Sequence, residues 1–195
     1  TKVDFTNFKS IRNDYFLTET NKENLFFVLE IIKKWKINKN LLFNTIENFK
    51  GLKYRQQTIY KKNNLTIIND SKSTSFSSSI SALKVNPNIF WLLGGIHKKN
   101  DKFNLSKRYF KNIRAFIYGR NVKFFNKKLK GKIKYENFAN LNYALKKIFM
   151  ILKKNKNEPH TILFSPCAAS FDSFNNFEDR GFYFNKLINK YLYGK

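Results

Sequence analysis

The chain has 195 residues, of which 42% are hydrophobic and 26% are charged, so it can form one domain and part of another. This composition excludes wholesale disorder, and the single cysteine, Cys167, excludes an internal disulfide framework. The 38 Lys and Arg residues outnumber the 13 Asp and Glu residues, and the resulting formal net charge of +25 favours anionic partners.

The first fifty residues have the pattern of helices. One amphipathic helix is predicted from apolar positions that recur with a period of about 3.6, at Leu25, Val28, Leu29 and Ile32. A second helix is predicted from Leu41 to Phe49, ending at Gly51. A boundary between two domains is predicted near Gly51, because strand-like patterns begin after it.

From Tyr54 onward, short apolar strands alternate with amphipathic helices. A β-hairpin is predicted from Tyr54–Tyr60 and Leu65–Ile68, joined by a turn at Asn63-Asn64. Further strands are predicted at Ile89–Leu93, Ala115–Tyr118, Lys132–Tyr135 and Thr161–Phe164. Helices are predicted at Phe76–Leu83, Leu105–Phe110, Asn121–Leu129, Leu141–Lys153 and Phe177–Leu192. The alternation predicts an α/β fold with a Rossmann-like, mainly parallel sheet flanked by helices.

Polar loops follow the predicted strands, and ligands of open α/β sheets bind beyond the carboxyl ends of the strands. Small residues, lysines and the carboxylate of Asp70 in these loops favour an anionic ligand. Simpler explanations remain open for each residue taken alone, since Asp70 could cap the next helix and Lys98 could be solvated. Cys167 is interpreted as a small buried residue, and His97 and His160 are too isolated to indicate a metal site.

Taken together, the loops are more specific. The segment Ile67–Thr74 reads I-I-N-D-S-K-S-T and resembles the Asp-Ser-Lys-x-Thr signature of the D-glutamate-adding Mur ligases. The segment Phe164–Gly181 resembles the most distinctive stretch of that family. Gly51–Arg55 resembles its Gly-Leu-Pro-His-Arg hinge, and Asn21–Asn24 resembles the second part of its His-Asn-x-x-Asn motif. The order and spacing of all four segments agree with the family.

The resemblance implies an ATP-dependent ligase that joins D-glutamate to UDP-N-acetylmuramoyl-L-alanine through an acyl phosphate, in peptidoglycan precursor synthesis. Residues 1–51 would be the end of the central ATPase domain, and residues 52–195 the C-terminal domain. Mg²⁺ is expected as a cofactor, held mostly by residues outside this chain. A cytoplasmic monomer is expected, without a membrane or nucleic-acid partner.

The resemblance also implies roles for individual residues. Lys72 would lie near the phosphates and the reacting centre. One carboxylate of D-glutamate would be bound by Thr74 and Lys98, and the other by Ser170 and the backbone of Phe177. The ATP contacts would come from Asn21, Asn24, Arg55 and Asp70.

Several positions depart from the family pattern. Thr20 and Tyr54 each stand where the family usually has His, and Ile96 replaces a common acidic residue. The sequence G-x-x-x-x-G-K-[ST] occurs nowhere in the 195 residues, so the chain alone is expected not to hydrolyse ATP.

A basic nucleic-acid-binding α/β module is the alternative interpretation. The charge of +25 and the basic and aromatic residues interleaved through Lys123–Tyr135 favour it. The lysines recur along the whole chain without a focus, however, and no nucleic-acid-binding motif is recognised.

Overall fold

A computed structural model describes residues 12–35, 37–155 and 157–194. The chain divides into two compact units between Gly51 and Leu52. Within the described residues, no helix has the length and apolar character needed to cross a membrane.

The first unit is helical. Its helices are a 3₁₀ helix at Asp14–Leu17, α1 at Glu19–Ile32 and α2 at Lys39–Glu47. Thr18 caps α1, because its side chain accepts a hydrogen bond from the backbone N–H of Asn21. A small core forms around Phe16, Leu29 and Ile46. Val28, predicted on the buried face of α1, is 51% exposed. The other three predicted residues, Leu25, Leu29 and Ile32, make the contacts of α1 with this core.

The second unit is an α/β domain. Its strands are β1 at Gln57–Lys62, β2 at Leu65–Asn69, β3 at Ile89–Gly94, β4 at Ile113–Tyr118, β5 at Lys134–Phe138 and β6 at His160–Phe164. Its helices are α3 at Phe76–Val85, a 3₁₀ helix at Lys107–Asn112, α4 at Val122–Leu129, α5 at Leu141–Lys154 and α6 at Phe177–Tyr193. In the described part of the chain these strands form one six-stranded sheet in the order β1-β2-β6-β3-β4-β5. Only the β1–β2 pair is antiparallel, so the predicted fold class is confirmed.

The central strand β3 is buried along its whole length. Trp91 and Leu93 belong to a core that also contains residues of α3 and α4, whereas Phe90 and Leu92 belong to a core with residues of α5 and α6. A strand covered by helices on both faces needs apolar side chains on both, which explains its continuous apolar run.

Three predicted elements differ from the structure. The hairpin strand does not begin at Tyr54, because Tyr54 and Gln56 have φ angles of +62° and +45° that a strand cannot accommodate. Strand β5 begins after Lys132 and Ile133, because their N–H groups bond to the carbonyl of Leu129 at the end of α4. The helix predicted at Leu105–Phe110 is a 3₁₀ helix that starts at Lys107.

Candidate functional site

The loops that follow β2, β6 and β3 meet at one edge of the sheet. These strands are parallel neighbours, and their register places Asn69 and Leu92 on either side of Phe164. The N–H of Asp70 donates to the carbonyl of Phe164 at 2.7 Å, and this hydrogen bond connects the loop after β2 to the end of β6. The predicted convergence of these loops is therefore found.

A pair of backbone hydrogen bonds joins the β3 loop to the β6 loop. Ile96 and Ala169 each donate their N–H to the carbonyl of the other, at 2.9 Å in both directions. The N–H of Gly94 also donates to the carbonyl of Pro166 at 3.1 Å. Because this pairing uses only the backbone of Ile96, it does not require the acidic residue that is common there in the family.

Asp70 is buried beneath these loops, with 5% of its surface exposed. Its Oδ1 accepts the backbone N–H of Gln56 at 3.1 Å, and its Oδ2 accepts the hydroxyl of Ser165 at 2.7 Å. Burial raises the pKa of Asp70 from 3.8 to about 7, against the opposing effects of these hydrogen bonds and of the charges of Arg55 and Arg180. Asp70 therefore links the start of β1 to the β6 loop.

We expect the free energy of unfolding to fall as the pH rises from about 4 to about 7. The folded protein holds the Asp70 proton more tightly than the unfolded chain, so the stabilisation is complete below the unfolded pKa of 3.8 and is lost through about 7. Each unit of pKa difference corresponds to about 1.4 kcal/mol. Denaturant unfolding of Asp70→Asn should show a clearly smaller slope, to which Asp172, whose pKa is also raised by burial, still contributes, whereas the exposed Asp179→Asn should retain the full slope. An unchanged slope in Asp70→Asn would contradict the assignment.

Lys72 lies beside the start of α6. Its Nζ is 3.7 Å from the centre of the Phe177 ring, and the hydroxyl of Ser71 donates to the Phe177 carbonyl at 2.8 Å. Phe177 is the first residue of α6, so its N–H has no acceptor within the helix and lies at the positive end of the helix dipole. The structure thus brings together a lysine and a helix N-terminus, both of which favour an anion.

The predicted D-glutamate residues lie on three loops. Thr74 is half-buried next to Ser75, the residue that caps α3. Lys98 is exposed two residues after the paired Ile96, and Ser170 is buried directly after the paired Ala169. The pairing of the two loops brings the segments that carry Lys98 and Ser170 together.

Arg180 is a residue of this site that was not singled out from the sequence. It is 1% exposed, and its guanidinium donates to the carbonyl of Ser71 at 2.6 Å and to the hydroxyl of Ser71 at 3.1 Å. Burial lowers the pKa of Arg180. Only six of the 38 Lys and Arg residues are arginines. An arginine inside the Phe164–Gly181 motif is therefore unusual for this chain, and it could have indicated a position that needs the several N–H donors of a guanidinium group.

Tyr54 and Arg55 lie in the segment that precedes β1. The carbonyl of Tyr54 accepts the N–H of Lys72 at 3.0 Å. The Tyr54 ring packs against Gly181, where an added Cβ would lie 2.3 Å from Cδ1 of the ring. Arg55 is exposed, and its charge lowers the pKa of Asp70, so it lies near that carboxylate. The replacement of His by Tyr at position 54 is accommodated by the glycine of α6.

Asn21 and Asn24 belong to the first unit. Asn21 is 5% exposed, and its side-chain amide donates to the carbonyl of Tyr15 at 2.7 Å. Asn24 is exposed on α1. Asn21 therefore has a structural role inside its own unit, and the adenine contacts of both residues stay predictions.

Cys167 is fully buried, as predicted, and burial raises the pKa of its thiol. The structure also explains the interleaving of basic and aromatic residues through Lys123–Tyr135. Apolar residues of this stretch face the core at Phe125, Leu129 and Ile133, whereas its exposed lysines are Lys123, Lys127, Lys130, Lys132 and Lys134. This alternation is that of an amphipathic helix followed by a strand, so it needs no nucleic-acid ligand.

Comparison with known proteins gives sequence relatives with one name. The chain is 34% identical over 171 residues to the UDP-N-acetylmuramoylalanine–D-glutamate ligase of Wolbachia sp. subsp. Brugia malayi, a match covering 88% of this chain and 34% of that protein. It is 34% identical over 174 residues to the ligase of the same name from Francisella tularensis subsp. novicida, covering 87% of this chain and 41% of the relative. No family model matches the chain.

A solved structure shares the fold. The MurF ligase from Thermotoga maritima, in complex with ADP, matches with a TM-score of 0.55 and 14% identity. The match covers 90% of this chain and 39% of that chain.

The chain thus spans about two fifths or less of the length of these proteins, which is consistent with a C-terminal part. The nucleic-acid alternative finds no support, since these sequence relatives are named as ligases. The chain is a member of the Mur ligase family, and the resemblance of its loop motifs to the D-glutamate-adding ligases is confirmed.

Proposed function

We propose that this chain is the C-terminal part of an ATP-dependent ligase that adds D-glutamate to UDP-N-acetylmuramoyl-L-alanine. Residues 1–51 would end its central ATPase domain, and residues 52–195 would form its C-terminal domain. The observation that carries the proposal is the convergence, at one edge of the sheet, of the β2 and β6 loops, which contain two of the family motifs, with the β3 loop, which carries Lys98. The names of the sequence relatives support the same activity.

The loops offer two places for the carboxylates of an amino diacid. Ser170 and the N–H of Phe177 would bind one carboxylate, because the N-terminus of α6 supplies a backbone donor without a partner in the helix and a favourable dipole. Thr74 and Lys98 would bind the other, because a carboxylate leaving water needs a cationic partner and a hydroxyl donor. Discrimination of D-glutamate from other amino acids would then rest on the spacing of the two places.

The reaction has two steps. Transfer of the γ-phosphoryl group of ATP to the carboxylate of UDP-N-acetylmuramoyl-L-alanine forms an acyl phosphate and ADP. The amine of D-glutamate then attacks the acyl carbon, the C–N bond forms, phosphate leaves and the amine loses a proton. Negative charge on the phosphoryl oxygens needs nearby cations, and we propose Lys72 for this role.

The nucleotide side of the site is proposed from the remaining residues. Arg55 would reach the phosphates, and Asn21 and Asn24 would lie near the adenine. We also propose that Asp70 lies on the nucleotide side. In this structure its two carboxylate oxygens accept hydrogen bonds from the N–H of Gln56 and the hydroxyl of Ser165. Mg²⁺ would neutralise the phosphates and would be held mostly by residues outside this chain.

The proposal is tested with the complete ligase, meaning this chain together with the UDP-binding and phosphate-loop portions. We expect ATP-dependent formation of the UDP-linked alanyl-glutamate product with D-glutamate, measured by mass spectrometry. L-Glutamate and D-aspartate are the matched controls, and a product formed equally well with either would contradict the assigned substrate.

The isolated 195-residue chain is expected to release no phosphate from ATP, because it contains no G-x-x-x-x-G-K-[ST] sequence to hold the triphosphate. A coupled phosphate-release assay with both substrates present measures this directly. Measurable turnover by the isolated chain would overturn the expectation.

A further inference from the structure

Ser79 occupies the junction of two loops of the site. It lies in the first turns of α3 and is fully buried. Its hydroxyl is 2.8 Å from the hydroxyl of Ser73 on the β2 loop and 2.9 Å from Sγ of Cys167 on the β6 loop. It is also hydrogen bonded directly to the hydroxyl of Ser165. A single helix residue thus touches both loops from beneath.

The hydrogen bonds around Ser79 have one consistent direction when Asp70 is ionised. The hydroxyl of Ser165 donates to Oδ2 of Asp70 at 2.7 Å, which uses its only hydrogen. Ser79 must then donate to Ser165, so a hydrogen bond between Ser73 and Ser79 has to be donated by Ser73, whose hydroxyl also lies 2.7 Å from that of Ser78 and 3.4 Å from the carbonyl of Ser75. When Ser73 donates to Ser79, the hydroxyls of Ser73, Ser79 and Ser165 form a chain that ends on the carboxylate, and aligned hydrogen bonds of this kind strengthen one another.

This chain of hydroxyls ends between two proposed site residues. Ser73 is flanked by Lys72 and Thr74, and its N–H donates to the carbonyl of Asp70 at 2.9 Å. Ser73 is therefore linked to Asp70 twice, directly through its backbone N–H and indirectly through the hydroxyls of Ser79 and Ser165. Loss of the middle hydroxyl would cut the link from Ser73 to Ser165 and Asp70, leaving the Ser73 hydroxyl only its partners at the start of α3, the hydroxyl of Ser78 at 2.7 Å and the carbonyl of Ser75 at 3.4 Å, while the backbone bond stays intact.

We infer that Ser79 is a positioning residue for the D-glutamate site, acting through Ser73 on the segment Lys72–Thr74. The inference rests on the proposed function for its substrate, but the underlying coupling is a property of this chain alone. Ser79 itself would touch neither D-glutamate nor ATP.

The test compares Ser79→Ala with Ser79→Thr and with Ser81→Ala. Ser81 is a matched control, because it is buried on the same helix and its hydroxyl accepts from the side chain of Gln56 rather than from Ser73. In the 195-residue chain, ¹⁵N NMR should show shifts of the Lys72, Ser73 and Thr74 amides in Ser79→Ala but not in Ser81→Ala. Shifts confined to α3 in Ser79→Ala would overturn the inference.

In the complete ligase, Ser79→Ala should raise the KM for D-glutamate about tenfold, as expected for loss of one buried hydrogen bond that orients the site. The kcat should fall as well, because the same segment carries Lys72, the residue proposed to stabilise the phosphoryl oxygens, and Ser79→Thr should restore the KM in part. A lowered Tm with an unchanged KM would reduce Ser79 to a purely structural residue.

Two further outcomes are also decisive. If the parent ligase shows no turnover with D-glutamate, the proposed function fails, and the NMR comparison alone decides the role of Ser79. If Ser79→Ala does not fold, Ser73→Ala interrupts the same chain one step later, and an unchanged KM in that variant would refute the inference.

Discussion

Replacing Gly95 by alanine is expected to lower the free energy of unfolding by about 3 kcal/mol. Gly95 has a φ angle of +123°, and an added Cβ would lie 2.4 Å from the carbonyl oxygen of Ala169. That oxygen accepts the N–H of Ile96, so the clash falls on the pairing that joins the β3 and β6 loops. Relief of the clash requires these loops to separate, which should also weaken any ligand bound between them.

Gly131→Ala is the matched control for this experiment. Gly131 also has a positive φ angle, +71°, but an added Cβ would meet nothing within 4 Å. The control should therefore lose only the backbone preference of glycine, about 1 kcal/mol. Urea unfolding of both variants measures the difference, and equal losses would show that the contact between Gly95 and Ala169 is not as tight as the structure indicates.

Lys98→Ala in the complete ligase is expected to raise the KM for D-glutamate about 100-fold. The proposed role of Lys98 is to pair with a carboxylate that has partly left water, and removal of the lysine leaves that charge unpaired. The effect should fall on the KM for D-glutamate more than on the KM for ATP, because Lys98 lies on the β3 loop and not among the proposed nucleotide residues. Steady-state kinetics with each substrate varied in turn separates the two.

Lys99→Ala is the control for Lys98→Ala. Lys99 is the next residue and is also exposed, and its removal changes the net charge by the same amount. Its KM for D-glutamate should change less than about twofold, the scale of a solvated surface charge. Similar effects in the two variants would mean that general electrostatic attraction, rather than a specific carboxylate contact, explains the role of Lys98.

The sheet was largely predictable because each strand has a simple apolar pattern. The continuous run of β3 requires helices on both faces, and the structure provides them. The predictions were wrong at the first residues of β1 and β5, where the backbone conformation and backbone hydrogen bonds determine where a strand begins. Nothing in the sequence indicates that Lys132 and Ile133 would bond to Leu129 rather than pair with β4. The positive φ angle of Tyr54 has no local signal either, since tyrosine rarely adopts it.

For the site, the sequence indicated which loops matter but not how they are held together. Asp70 was predicted as a capping or nucleotide-binding residue, whereas its burial and its bond to Ser165 depend on residues far apart in the chain. Arg180 and Ser79 were missed for the same reason, because their contacts to Ser71 and Ser73 form only after the helices pack on the sheet. Contacts of this kind depend on tertiary packing, which no local pattern encodes.

A crystal structure of the complete ligase with the D-glutamate-containing product tests the central claim most directly. The predicted result places the carboxylates of the glutamyl group within hydrogen-bonding distance of Lys98 and Ser170, at the edge where the β2, β6 and β3 loops meet. A glutamyl group bound elsewhere, with these two side chains in solvent, would contradict it.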